Sequence, residues 1–302
     1  MRRAAMLALL LLLAIHANAA EPLTYRAAVH SIHFDGRGAW LDRVSEPGVV
    51  RTEYLTKWDA AIAAAPGRAI RVATPSFGNY VLHDFRGDAP PLLFANGAPA
   101  GSVQAMVVAA TGRTYVFTSG GPGAGRALWV HEADGRLFDH DRGEEMRDAY
   151  ALDLAADQCT LYALERGRLS RYDVCRGRYR DDFLPAAPED AAQHRILPDG
   201  GVLLTASRKL LRYAADGTLV RTYEPGLGLL GALTLADGGR VAWAGVVADD
   251  GTYRVAEIDL ASGGVLALID VPRFVAGIVP YHVWTAAFGD GVARRRALGG
   301  SR

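Results

Sequence analysis

His194-Arg195-Ile196-Leu197-Pro198-Asp199-Gly200-Gly201-Val202-Leu203-Leu204-Thr205-Ala206 decides the fold. Two short apolar runs flank Pro-Asp-Gly-Gly, and the glycines after aspartate supply the positive φ that a tight hairpin requires. Onward, Leu210 to Tyr213, the turn Ala214-Ala215-Asp216-Gly217 and Thr218 to Tyr223 complete a unit of four short strands. The same unit precedes it as Ala151 to Leu154, a turn at Asp157, Cys159 to Leu164, Leu169 to Val174 and Tyr179 to Phe183. It also follows, as Ala232 to Leu235, Asp237-Gly238-Gly239, Arg240 to Ala244, Tyr253 to Asp259 and Val265 to Asp270. The turn aspartates Asp157, Asp199 and Asp237 stand 42 and 38 residues apart. Four strands recurring every roughly 40–45 residues are the mark of a β-propeller blade, and a β-sandwich has no reason to keep such a period.

Two earlier units share an Ala-Ala-x-Gly-Arg turn, with Gly67 and Gly112 45 residues apart. One runs Ala60 to Ala65, Ala69 to Thr74, Asn79 to Asp84 and Leu92 to Phe94. The other runs Val103 to Ala109, Thr114 to Thr118, Ala127 to Glu132 and Arg136 to Asp141. Both ends hold strand-like remnants too short for a blade: Ala27–Phe34 and Val49–Leu55, then Ala276–Tyr281 and Val283–Ala287. A propeller that does not close leaves bare strand edges open to aggregation. The expectation is therefore an all-β single propeller over residues 20–288, with six blades, or seven, and with the ring closed by strands from both termini.

Arg2 and Arg3, the apolar run Met6 to Ile15, and Ala17-Asn18-Ala19 form the three-part pattern of a secretory signal peptide, residues 1–19. The apolar run falls short of the roughly 20 residues a spanning helix needs. A periplasmic or secreted monomer is expected, with no membrane span after cleavage. The chain's 33 Lys and Arg balance 33 Asp and Glu, so no nucleic-acid footprint exists. Arg294-Arg295-Arg296 lies in a tail, residues 289–302, expected to be basic and disordered.

In an exported chain the two cysteines, Cys159 and Cys175, are expected to pair. If their strands form a hairpin around Arg166-Gly167, partners share an index sum of 334, which would set the two directly opposite each other. There is no Cys-x-x-Cys spacing, so a structural staple is the reading.

Leu152 to Tyr162, then Arg171-Tyr172-Asp173-Val174-Cys175, and Leu197-Pro198-Asp199-Gly200-Gly201-Val202-Leu203 together resemble a group of exported bacterial propellers. That group is similar to NHL, streptogramin-lyase-like and gluconolactonase-like propellers. The resemblance covers residues 150 to 270 and implies a propeller and an extracytoplasmic setting. It implies no chemistry, because fold does not dictate function.

A lactonase-type metal site in such propellers uses Glu, Asn and Asp, and Asn79 and Asn96 are the only asparagines after the signal segment. A streptogramin-lyase-like site uses channel histidines, and His83, His131, His140, His194 and His282 are spread over several units. His83, His194 and His282 are the candidate catalytic residues; His131, equivalent to Tyr172 and Tyr213, reads as packing. His30 and His33 fall on opposite faces of a strand. Ser119 to Gly125 is Gly-rich but lacks the Lys-Ser/Thr ending of a phosphate loop. Tyr172, Tyr213 and Tyr223 recur at equivalent places and are expected in packing, as are Trp129, Trp243 and Trp284 in strand-like runs. Two functions follow. The first is a non-catalytic propeller, without metal or cofactor, binding a protein, peptide or glycan through one face. The second is a metal-dependent lyase or hydrolase whose divalent metal sits in the central channel. Three acidic or histidine side chains converging at a channel mouth would separate the second from the first.

Overall fold

The computed structural model describes residues 29–280 apart from the connecting stretches 35–38, 46–47, 57–59, 66–68, 77–78, 86–91, 96–100, 120–125, 142–145 and 147. The signal segment 1–19, the tail 289–302, His282, Trp284, the strand expected at Val283–Ala287 and most of the Gly-rich loop lie outside the described residues. So do Asn96 and the side chains of His30, His33 and His140.

Among the described residues, every element but one short turn of 3-10 helix at Asp237–Gly239 is a strand. The first blade holds β4 (Ala61–Ala65), β5 (Ala69–Ser76), β6 (Asn79–Phe85) and β7 (Leu92–Ala95). The second holds β8 (Ser102–Val108), β9 (Thr114–Ser119), β10 (Ala127–His131) and β11 (Leu137–Asp141). The third is β12 (Ala151–Leu154), β13 (Thr160–Glu165), β14 (Arg168–Asp173) and β15 (Arg178–Leu184). The fourth is β16 (Ala191–Ile196), β17 (Val202–Ala206), β18 (Lys209–Tyr213) and β19 (Leu219–Tyr223). The fifth is β20 (Leu229–Ala236), β21 (Val241–Val247), β22 (Tyr253–Asp259) and β23 (Val265–Val271). The last sheet is composite: β24 (Phe274–Pro280) pairs antiparallel with β1 (Val29–Phe34), followed by β2 (Ala39–Ser45) and β3 (Gly48–Thr56). The fold is a β-propeller. Of the six or seven blades expected, five are runs of four consecutive strands; the sixth four-stranded sheet joins both ends of the chain, and no seventh forms among the described residues.

The central blades are packed on both faces, so their second strands are buried along the whole length instead of alternating. All six residues of β13 and all five of β17 are buried, while the outermost β19 exposes four of its five. The core is a set of slabs in the seams. Phe117, Leu128, Leu161 and Tyr172 fill the seam between the second and third blades. Tyr162, Leu164, Val202 and Leu204 fill the next, and Leu203, Tyr223, Leu233 and Ile258 the one after. Trp243 and Val255 of the fifth blade meet Val275 and Ile278 of β24; Leu41 and Val279 of the composite sheet meet Ile62, Ile70 and Val72 of the first blade. Tyr80 and Leu82 against Val116 and Trp129 complete the set. Tyr172, Tyr213 and Tyr223 thus pack between blades, and Trp129 and Trp243 are buried, as their positions predict.

The aspartate turns work as capped hairpins. The Asp157 carboxylate accepts the Cys159 and Thr160 N–H groups at 2.9 and 2.8 Å, which holds its charged form and lowers its pKa against a burial penalty. Gly201 admits no side chain, because a Cβ there would lie 2.4 Å from the Tyr213 carbonyl oxygen. Cys159 and Cys175 form a disulfide with a Cα separation of 5.2 Å. The expected register is off by one. Glu165 pairs with Arg168 and Thr160 with Asp173, an index sum of 333, so Val174 lies across from Cys159 and donates its N–H to the Cys159 carbonyl. Cys175 sits one residue further on, inside the 174–177 turn, where the backbone has left the ladder and can swing the sulfur back.

Candidate functional site

In every sheet the first and third strands start, and the second and fourth end, at one side of the ring, here named the front; the aspartate turns lie at the back. The histidine candidates do not gather on either side. His83 is on β6, the third strand of the first blade, hydrogen-bonded through Nε2 to the Thr74 hydroxyl at 2.8 Å and stacked on Phe85 at 6.0 Å. His194 is on β16, the innermost strand of the fourth blade, fully buried beside the Tyr162 backbone, with no well-formed hydrogen bond at either ring nitrogen among the described residues. Burial, with a smaller push from the Arg195 guanidinium, lowers its pKa to about 3, so the ring is neutral at physiological pH. His131 is buried between the first two blades, bonded to the Tyr80 hydroxyl through Nε2 and to the Gly135 carbonyl through Nδ1, which fits the packing role. Among the described residues no three of His, Cys, Asp and Glu are grouped as metal ligands.

Two features missed by sequence reasoning stand out. The first is at the front, where the fifth blade meets the composite sheet. Leu229, Val247 and Tyr253 are direct cross-strand partners, so their side chains lie in a row on one face of the sheet. The Tyr253 ring meets Phe274 edge-on with centroids 6.2 Å apart. Leu229 is 50% exposed and Phe274 40%, which leaves this apolar strip open to solvent. Beside it the Arg273 guanidinium lies 4.6 Å over the Trp40 ring, a cation–π contact that flattens a long side chain against the sheet. Paired charges rim the strip: Arg208 with Asp249, and Arg254 with Asp270 at 3.0 Å and Asp250 at 3.5 Å. Trp40 lies on β2, a strand that the sequence reading passed over.

The second feature lies along the innermost strands of the sheets. The innermost strands β4, β8, β12, β16, β20 and β24 contain only two formally charged side chains, Asp153 and Arg195, on neighbouring strands. The Asp153 carboxylate accepts the Ile196 N–H at 2.7 Å and its neighbour Leu154 N–H at 3.0 Å. Burial raises its pKa, while Arg195 and these N–H donors pull the other way. Across from this pair the strands offer small residues, with Ala61, Ala64, Gly231, Ala276 and Gly277 all retaining exposure.

No protein-family model matches the chain, and no curated protein is similar to it in sequence. The NHL-like, streptogramin-lyase-like and gluconolactonase-like resemblance is thus joined by no family match. Among solved structures, a protein of unknown function from Bacteroides caccae is similar with a TM-score of 0.66 at 12% identity, over 84% of this chain and 98% of that one. At that identity the likeness speaks for the propeller fold alone.

Proposed function

We propose that the chain is an exported, non-catalytic β-propeller that binds a protein, peptide or glycan partner through its front face, at the seam of the fifth blade and the composite sheet. The observation that carries this reading is the open strip Leu229, Val247, Tyr253 and Phe274 inside a rim of paired charges. An apolar and aromatic centre with a polar border is the anatomy of a recognition surface, and exposed aromatics anchor partners at small entropic cost. Export is supported by the N-terminal signal pattern and by the Cys159–Cys175 disulfide, a bond that persists in oxidising compartments. No helix among the described residues is long and apolar enough to cross a membrane. We read the composite sheet as the sixth blade: β24 packs against both β20 and β4, which joins the last consecutive blade to the first in a monomeric ring.

The test is retention of the full chain on immobilised glycan and peptide panels, with F274A/Y253A alongside. The variant should keep its cooperative unfolding and bind retained ligands at least about 30-fold more weakly, the loss typical of a hot spot of about 2 kcal/mol. Undiminished binding by the folded variant, or no ligand on either panel, overturns the reading.

A further inference from the structure

Arg195 differs from the other basic side chains among the described residues by where its guanidinium goes. Its strand, β16, pairs with β17 along one edge only, and the other edge faces the ring axis. In an antiparallel ladder, hydrogen-bonded pairs alternate with pairs whose N–H and C=O groups turn outward. Leu197 donates its N–H to Gly201 O, so the pairs His194–Leu204 and Ile196–Val202 turn theirs away from β17, toward the channel. On β12 the bond from Ala155 N–H to Thr160 O turns Leu152 and Leu154 outward in the same way. Arg195 Nη1 donates to His194 O at 3.3 Å and to Leu152 O at 3.5 Å, two of these channel-facing carbonyls. The guanidinium therefore lies inside the channel, across the mouth of the β12–β16 seam.

Its neighbours leave part of its donor set open. The channel-facing N–H groups of Leu154 and Ile196 go to Asp153, and that of His194 goes to Gln193 Oε1 at 3.0 Å. Asp153 spends its oxygens on these backbone donors and forms no ion pair with Arg195. Both hydrogen bonds of Arg195 to the described residues use Nη1, which leaves the donors on Nε and Nη2 as an open fork. An arginine keeps its charge at any physiological pH, and its fork matches the two oxygens of a planar carboxylate. With the Asp153 carboxylate near enough to act on it electrostatically, the one guanidinium suits a monoanion better than a dianion. The alanines and glycines of β4, β20 and β24 keep the side chains that line the rest of the channel small.

We infer that the channel holds a binding site for a small monocarboxylate, anchored bidentately by Arg195 with its hydrocarbon part toward β20, β24 and β4. This site is separate from the front-face strip and stands without it. The test titrates butyrate and benzoate into ¹⁵N-labelled full chain and follows the arginine Nε–H resonances, with R195K and R195Q as variants and inorganic phosphate and sodium chloride as controls. One Nε–H resonance, missing from the R195K spectrum, should shift saturably with at least one of the acids and stay fixed in chloride of equal ionic strength. R195K, which keeps the charge and loses the fork, should bind at least about tenfold more weakly. Should R195Q not fold, R195K alone decides the matter. Unchanged affinity in R195K, no saturable shift with either acid, or tighter binding of phosphate than of both acids overturns the assignment.

Discussion

His194 occupies the seam between the third and fourth blades as a neutral, fully buried ring. Its pKa is near 3 in the fold and near 6.5 in the unfolded chain. Below pH 6.5 the unfolded chain therefore takes up a proton that the fold refuses, and stability falls as pH drops from about 6.5 toward 3. At pH 5 the loss is on the order of 2 kcal/mol, from 1.36 kcal/mol per pH unit. Burial also lowers the pKa of His131 and His83, so they act with the same sign. Urea unfolding at pH 7 and pH 5 should show H194L losing about 2 kcal/mol less than the parent protein over that interval. Equal losses would mean that His194 finds a proton partner in the fold.

At the scale of elements, the seams between blades carry the specificity of the assembly. Arg71 of β5 is 3% exposed and crosses from the first blade to the second, donating to Gly112 O at 2.6 Å, to the Thr114 hydroxyl and to the Ala133 carbonyl. It also pairs with the buried Asp84 at 3.4 Å. Removing one partner of a buried pair strands the other charge, so R71L should cost about 3–5 kcal/mol, and R71L/D84L should recover part of it. A double-mutant cycle in urea checks this; additive losses would show that the ion pair is not coupled. Within the third blade, the disulfide fixes the β12–β13 turn from which Gln158 reaches the Ala110 N–H of the second blade. With a separation of 16 residues, the C159S/C175S pair should be less stable by about 3 kcal/mol in the chain-entropy model. Equal denaturation midpoints for oxidised and double-serine protein would contradict that.

For the molecule as a whole, the composite sheet is held on both sides by glycines that permit close approach. A Cβ at Gly277 of β24 would lie 2.7 Å from Ile62 of the first blade, and one at Gly245 of the fifth would lie 2.9 Å from the Val275 Cβ. Both seams need a missing side chain. G277V should therefore overpack the junction with the first blade and cost about 1–3 kcal/mol. In a domain of this size that is a fall in Tm of roughly 2–4 °C per kcal/mol. An unchanged Tm would show that the junction between β24 and β4 is loose and that the fold does not depend on it.

How much of this could be read beforehand depends on whether the cause is local. The Asp199-Gly200-Gly201 turn and its counterparts were legible because positive φ and short carboxylate caps act within three or four residues. The disulfide partners were legible too, but their offset was not, since Cys175 sits in a turn whose path no ladder dictates. The strand Ala39–Ser45 went unread because its pairing partners come from β1 and β3, in a sheet completed from the far end of the chain. His83 and His194 could be named as candidates, yet whether they meet is a matter of which blades lie between them. From the residues alone came the repeat, the turn chemistry and the pairing of the two cysteines, all products of short-range geometry and period. Only the tertiary structure decided that Leu229, Tyr253 and Phe274 form one exposed strip, and that Asp153 and Arg195 are neighbours as the two charged residues of the innermost strands. Both depend on contacts between strands distant in sequence, which arise when separate sheets pack face to face.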